Sequence, residues 1–174
     1  MIKASIDIGT NTVLLLVAEV NDGDLRVLRQ EQRIPRLGQG VDHSGQLTKA
    51  AMQRVIDALK EYKQILNSEF STIPAPRLTA TSAVRDAQNK QDFADLIREE
   101  TGLELEIVSG QKEAQLTFVG AKSVIADQPN GEDVVIDIGG GSTEIAAGMG
   151  SQAAIDADDW LETADLGDIL GDRR

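Results

Sequence analysis

The segment Ser5-Ile6-Asp7-Ile8-Gly9-Thr10-Asn11-Thr12 returns about 130 residues later as Val135-Ile136-Asp137-Ile138-Gly139-Gly140-Gly141-Ser142-Thr143. Each copy is an apolar strand ending in Ile-Asp-Ile-Gly, a small hydroxyl-bearing turn, and a second strand. Two such matches in one register imply a duplicated lobe, each lobe presenting the same loop. A loop of Gly, Thr, Asn and Ser between two strands gathers backbone N–H groups into a concave patch. Such patches bind phosphate oxygens, and glycine lets the backbone approach closely. Taken singly, Gly139-Gly140-Gly141 also reads as a flexible hairpin turn. The pairing of the two copies favours phosphate binding. No Walker A and no G-x-G-x-x-G pattern is present, which removes support from P-loop and dinucleotide folds.

The elements between the copies read as α/β. Ala4 to Ile8, Val13 to Val20 and Leu25 to Arg33 are strands, the last two joined by the turn signal Asn21-Asp22-Gly23-Asp24. Leu37 to Gly45 reads as loop, and Thr48 as a helix N-cap. Ala51, Val55, Ile56, Leu59, Tyr62 and Leu66 recur at helical spacing, which predicts a helix over 49–67. Pro74 and Pro76 break it. A buried strand is expected at Arg77–Thr81, a helix at Asp92–Thr101 capped by Gly102, and a strand at Leu103–Val108. A helix at Gln111–Ile125 follows, then a turn at Pro129-Asn130-Gly131. A buried strand at Asp133–Ile138 and a strand at Thr143–Gly148 complete the order. That order is βββαβαβα, then ββ starting afresh. Residues 1–128 form the expected first lobe, and 129–174 the start of a second with an acidic tail.

Composition narrows the chemistry. There is no Cys and one His, so disulfides, thiolate zinc sites, cysteine nucleophiles and multi-histidine metal sites are excluded. His43 reads as a loop residue rather than a catalyst. The net charge is −12, and residues 127–174 carry twelve acidic against two basic side chains. An acidic chain repels nucleic acid at long range, so a polyanion needs a bound cation or a local basic patch. Arg26, Arg29, Arg33 and Arg36 offer such a stretch, although some of them would only solvate a strand face. The start, MIKASIDIGT, is not built like a signal peptide, and the longest apolar run, Thr12 to Val20, is too short to span a membrane. A cytoplasmic protein with neither nucleic acid nor membrane as partner is the expectation.

Five segments in order carry a resemblance over about 1–148. They are Asp7-Ile8-Gly9-Thr10-Asn11-Thr12, Leu37-Gly38-Gln39-Gly40 and Ala80-Thr81-Ser82-Ala83-Val84-Arg85-Asp86-Ala87. Ile107-Val108-Ser109-Gly110-Gln111-Lys112-Glu113-Ala114 and Asp137-Ile138-Gly139-Gly140-Gly141-Ser142-Thr143-Glu144 complete the set. Together they resemble the exopolyphosphatase/guanosine pentaphosphate phosphatase family, within the actin-like ATPase superfold. The implied fold is an actin-like (ribonuclease H-like) lobe with a mixed sheet, plus the first hairpin of a truncated second lobe.

The resemblance implies roles residue by residue. Glu113 falls at the general base that orients and deprotonates the attacking water, a role that contributes about 10²–10⁴ in rate. Without the motif, Glu113 reads as a helix-start glutamate favoured by the N-terminal dipole. Asp7, Asp137 and Glu144 fall at acidic positions where Mg2+ is expected, with Mn2+ as the alternative. Gly9, Thr10, Asn11, Thr12, Gly139, Gly140, Gly141, Ser142 and Thr143 form the two phosphate loops. Arg85 falls at a phosphate-contacting arginine, where a guanidinium fits a phosphate bidentately; its plain reading is a salt bridge with Asp86. The implied substrate is inorganic polyphosphate, with guanosine pentaphosphate second and a non-catalytic phosphate- or nucleotide-binding module as the alternative class.

Two features depart from the family pattern. Lys112 stands where many relatives carry an acid before Glu113. The family continues from Glu144 through a full second lobe, whereas only Thr163-Ala164-Asp165-Leu166-Gly167 weakly resembles its next strand. Val134, Val135, Ile136 and Ile138 are therefore expected to pack on the first lobe, on the tail, or on a second copy in a homodimer. With that scaffold short, weak hydrolysis and a mobile segment after Pro129 are expected.

Overall fold

A computed structural model of the chain describes residues 1–21, 24–125 and 133–148. The expected turns at Asn21–Asp24 and Pro129–Gly131 and the acidic tail fall wholly or partly outside these residues. The packing divides at Val108/Ser109 into two units, which are described separately below.

The first unit opens with β1 (Ile2–Ile8), β2 (Val13–Asn21) and β3 (Asp24–Arg33), then α1 (Val41–Ser44) and α2 (Lys49–Glu69). β4 (Arg77–Ala80), α3 (Ser82–Asp86), α4 (Lys90–Thr101) and β5 (Leu105–Ile107) complete it. Its sheet runs β3-β2-β1-β4-β5. β1 pairs antiparallel with β2 and parallel with β4, so the sheet is mixed, as expected, and β1 is its centre. That position explains the residues of β1. Ile6 and Ile8 are fully buried, and Asp7 comes at the strand's end, where the chain leaves the sheet.

The helices form for local reasons and stay for tertiary ones. The Thr48 hydroxyl accepts from the Ala51 N–H at 3.2 Å and caps α2. The helix buries Val55, Ile56, Leu59 and Tyr62 in one cluster with Leu15 and Val17 of the sheet and Phe93 and Ile97 of α4. Gly102 ends α4 in the left-handed conformation at φ 69°, as glycine permits without a Cβ clash. The Tyr62 hydroxyl donates to the Val13 carbonyl at 2.8 Å, which ties α2 to the first residue of β2.

Two short helices were not expected. Val41–Ser44 is a single helical turn inside the segment read as loop, and Ser82–Asp86 follows β4 directly. Elements of four or five residues are shorter than two helical turns, so no periodic pattern marks them.

The second unit holds α5 (Gly110–Lys122) and a hairpin of β6 (Asp133–Ile138) and β7 (Thr143–Gly148). Packing thus groups α5 with the hairpin, whereas the expected lobe boundary lay at 128. Ala114 and Phe118 of α5 pack with Val135 and Ala146. β6 was expected to be buried and is not. Val134, Ile136 and Ile138 are 60%, 57% and 76% exposed. The reason is alternation: α5 covers one face of a two-stranded sheet, and every second residue of β6 points to the other.

Tyr62 is the chain's single tyrosine. Burial pushes its phenol from 10.0 up to about 12. The fold therefore favours the neutral phenol, and that stabilisation should be complete below about pH 10 and lost as pH rises toward 12. Tyrosinate absorbance followed from pH 9 to 13 should show ionisation near 12, coincident with loss of folded structure; ionisation near 10 in a still-folded chain would contradict this burial.

Candidate functional site

The first loop is the four-residue link Gly9–Thr12, set by the β1–β2 register of Ile8 opposite Val13. The Gly9 N–H donates to the Thr12 carbonyl at 2.9 Å and closes it. The Thr10 carbonyl accepts from the Gly38 N–H at 2.8 Å, and the Asn11 carbonyl from the Arg36 N–H at 3.0 Å. All three carbonyls are thus engaged. No peptide among the described residues is cis, and in a trans peptide the C=O and the following N–H point oppositely. With the Thr10 and Asn11 carbonyls drawn to residues 36–38, the Asn11 and Thr12 N–H groups point to the other side. That arrangement offers donors and withholds acceptors, which is what an anion requires.

Side chains complete this half. The Thr10 and Ser82 hydroxyl oxygens lie 2.9 Å apart, and Ser82 opens α3 while only 4% exposed. Asp7 accepts from the Thr79 hydroxyl at 3.2 Å, across the parallel β1–β4 pair. Gly38 has no room for a side chain, since a Cβ would lie 2.4 Å from the Thr10 methyl. Arg36 holds φ 52°, a left-handed conformation that costs a side-chain-bearing residue about 1–2 kcal/mol. Arg85, in the last turn of α3, donates to the Val108 carbonyl at 3.2 Å. Its Nε stands 3.9 Å from Asp86, beyond hydrogen-bond distance.

The second loop repeats the first. The Gly139 N–H donates to the Ser142 carbonyl, again at 2.9 Å, and Ile138 stands opposite Thr143 as Ile8 stands opposite Val13. Asp137 pairs with Glu144 across the hairpin, so their side chains share a face. That face is the one with Val135 and Ala146, which packs on α5. The Thr117 hydroxyl of α5 donates to Asp137 at 3.0 Å, and Glu144 is 6% exposed. Glu113 lies in the first turn of α5, where the Ser109 hydroxyl caps the helix through the Lys112 N–H at 3.2 Å. Glu113 and Thr117 are four residues apart and share one helix face. At the far end of the hairpin the buried Lys122 ammonium meets Asp133 at 2.5 Å.

The predicted residues thus fall into two groups. Asp7, Gly9–Thr12 and Arg85 are in the first unit; Glu113, Asp137, Gly139–Thr143 and Glu144 are in the second. Among the described residues no three acidic or histidine side chains gather into one metal cluster. The chain offers instead a carboxylate pair at the second loop and one carboxylate at the first. The expected basic stretch is mostly neutralised. Arg26 pairs with Glu19, Arg29 with Glu31 and Arg33 with Glu61, each at 2.7 Å. Arg26 holds the Glu19 carboxyl below the usual range, and Arg33 does the same for Glu31, both through side-chain hydrogen bonds. His43 lies exposed on α1 and joins neither group. No described helix is long and apolar enough to cross a membrane.

Sequence reasoning passed over Thr79, Ser82 and Thr117, whose hydroxyls serve the two sites. Ser82 was inside a quoted motif, and Thr117 stands one helical turn after Glu113. Each could have been found by asking which hydroxyls lie beside the acidic and loop residues.

The chain matches the family model described as the Ppx/GppA phosphatase family over residues 16–156. It is 39% identical over 154 residues to Exopolyphosphatase 2 of Mycobacterium tuberculosis, a match covering 83% of this chain and 47% of that protein. The crystal structure of an exopolyphosphatase from Cytophaga hutchinsonii superposes with a TM-score of 0.82 at 31% identity, over 95% of this chain and 50% of that one. A Ppx/GppA family member from Aquifex aeolicus gives 0.77 at 33% identity, with the same coverage. The chain spans about half the length of these exopolyphosphatases.

Two glycines test the closure of the second loop. A Cβ on Gly139 would meet the Ser142 carbonyl oxygen at 3.0 Å, whereas one on Gly120 in α5 would meet nothing within 4 Å. Gly120→Ala should therefore stabilise the chain by about 0.5–1 kcal/mol in urea unfolding. Gly139→Ala should destabilise it. Two substitutions of equal sign would contradict this loop geometry.

Proposed function

The chain belongs to the Ppx/GppA phosphatase family, and on that premise we propose that it removes the terminal phosphate from inorganic polyphosphate. Water attacks the terminal phosphorus in line, the bridging P–O bond breaks, and orthophosphate leaves a chain one unit shorter. Glu113 takes the proton from the water, and the departing phosphate oxygen keeps the electron pair. The observation that carries this reading lies in the second unit. Glu113 shares a helix face with Thr117, Thr117 is bonded to Asp137, and Asp137 faces Glu144 beside the glycine loop. A base, a carboxylate pair and a set of backbone donors within one small unit supply what phosphoryl transfer needs, which is chiefly positioning and charge stabilisation.

The donor set fits a hard divalent cation. Asp137 and Glu144 offer carboxylate oxygens from one face, with no soft ligand in a chain that lacks cysteine. These two would hold magnesium, and Asp7 is the equivalent carboxylate of the first loop. When bound, the ion would neutralise charge developing on the phosphate oxygens. The loop N–H groups of Asn11 and Thr12 and the glycine loop bind phosphate oxygens, and Thr117 orients Asp137. Arg85 supplies the guanidinium for a phosphate and is oriented by the Val108 carbonyl.

Phosphate release from polyphosphate and from guanosine pentaphosphate, assayed with magnesium, separates these assignments. Polyphosphate should be the better substrate. Glu113→Gln keeps shape and hydrogen bonding but removes the base, so release should fall about 100-fold or more while affinity changes little. Arg85→Ala should instead weaken binding. A chelator should abolish release and magnesium should restore it. Undiminished turnover by Glu113→Gln would place the base elsewhere, and chelator-insensitive turnover would remove the metal from the account.

A further inference from the structure

The segment between β3 and α1 reaches the first loop through two backbone N–H groups, Gly38 to the Thr10 carbonyl and Arg36 to the Asn11 carbonyl, and the second of these is held from behind. The Pro35 carbonyl and the Arg36 N–H belong to one trans peptide, so they point in opposite directions. On one side the Arg36 N–H donates to the Asn11 carbonyl at 3.0 Å. On the other, Arg54 of α2 donates from Nε to the Pro35 carbonyl at 2.7 Å, with Nη2 3.5 Å from the Arg36 carbonyl. A guanidinium that holds the carbonyl also orients the N–H, and donation to the carbonyl polarises the N–H toward its own acceptor. The anchor is firm, since Val55 and Ile56, next to Arg54 on α2, are fully buried. Arg36 needs such an anchor, because at φ 52° it occupies a conformation that persists only when its surroundings impose it.

We propose that Arg54 is a positioning residue for the first phosphate loop. Through the 35–36 peptide it holds the Asn11 carbonyl to one side, which leaves the Thr12 N–H aimed to the other, where an anion is bound. Arg54 donates to the Pro35 and Arg36 carbonyls and acts on the loop through this relay. The functional half of the proposal rests on the phosphate-binding reading of the loop; the structural half stands without it.

Amide spectra of the full 174-residue chain, labelled with nitrogen-15, read both halves. Arg54→Met removes the donor and keeps most of the stem. The amide resonances of Arg36 and Thr12 should move, those of α4 should not, and affinity for tripolyphosphate should fall about tenfold. Arg54→Lys can offer one donor to the Pro35 carbonyl and should recover part of both effects. Arg98→Met removes an arginine of the same unit that binds Glu104 and Asp95, and it should leave loop and affinity unchanged. Unmoved Arg36 and Thr12 amides in Arg54→Met overturn the proposal, as does unchanged affinity despite moved amides. If Arg54→Met does not fold, Arg54→Lys decides by the same two readouts. Should the wild-type amides of residues 9–12 ignore tripolyphosphate, the phosphate reading of the loop fails, while the Arg54→Met shifts still decide whether Arg54 sets the loop.

Discussion

One hydrogen bond, made twice, organises this chain. The Gly9 N–H closes on the Thr12 carbonyl and the Gly139 N–H on the Ser142 carbonyl, both at 2.9 Å. Each bond fixes a four-residue link between antiparallel strands and therefore the register of those strands. Register in turn decides which carboxylates come to the loop. Asp7 and Asp137 each sit one residue before the end of the strand that enters the loop. A slip of one residue would turn both to the opposite face.

The two loops are supported differently. In the first unit β1 lies at the centre of five strands, and the carbonyls of its loop are taken up by residues 36 and 38. Tyr62 adds a bond to Val13, the residue at which the chain leaves the loop. The second hairpin has two strands and one helix among the described residues. Its support is a small cluster around Phe118 and the Thr117–Asp137 bond. Gly148 belongs to this packing, since a Cβ there would meet the Phe118 ring at 3.0 Å.

The repeat, the long helix α2 and the caps at Thr48 and Gly102 were legible in the sequence because each rests on a local pattern, whereas the mixed sheet was expected from the family resemblance. A strand-turn-strand motif needs only alternation and turn residues, and α2 shows its spacing from Ala51 to Leu66, over about four turns. What was not legible depends on partners distant in the chain. The arginines of β3 looked like a basic patch until the sheet set Arg26 opposite Glu19 and α2 brought Glu61 to Arg33. Val134, Ile136 and Ile138 looked buried because a largely apolar run suits a strand covered on both faces. Thr79 carries no spacing signal, and the hydroxyls of Ser82 and Thr117 gain their meaning only from the hydroxyl or acid that each touches. Arg36 gave no hint of its left-handed conformation, which tertiary bonds impose.

On the proposed reading, the two repeated loops bind phosphate and the arginines of β3 do not. Hydrogen exchange of the chain with magnesium, with and without polyphosphate, tests it most directly. Polyphosphate should slow exchange at residues 10–12 and 140–143 and leave residues 25–33 unchanged. Slowing confined to residues 25–33, with both loops unaffected, would mean that polyphosphate meets only general positive charge and that the loops are not its site.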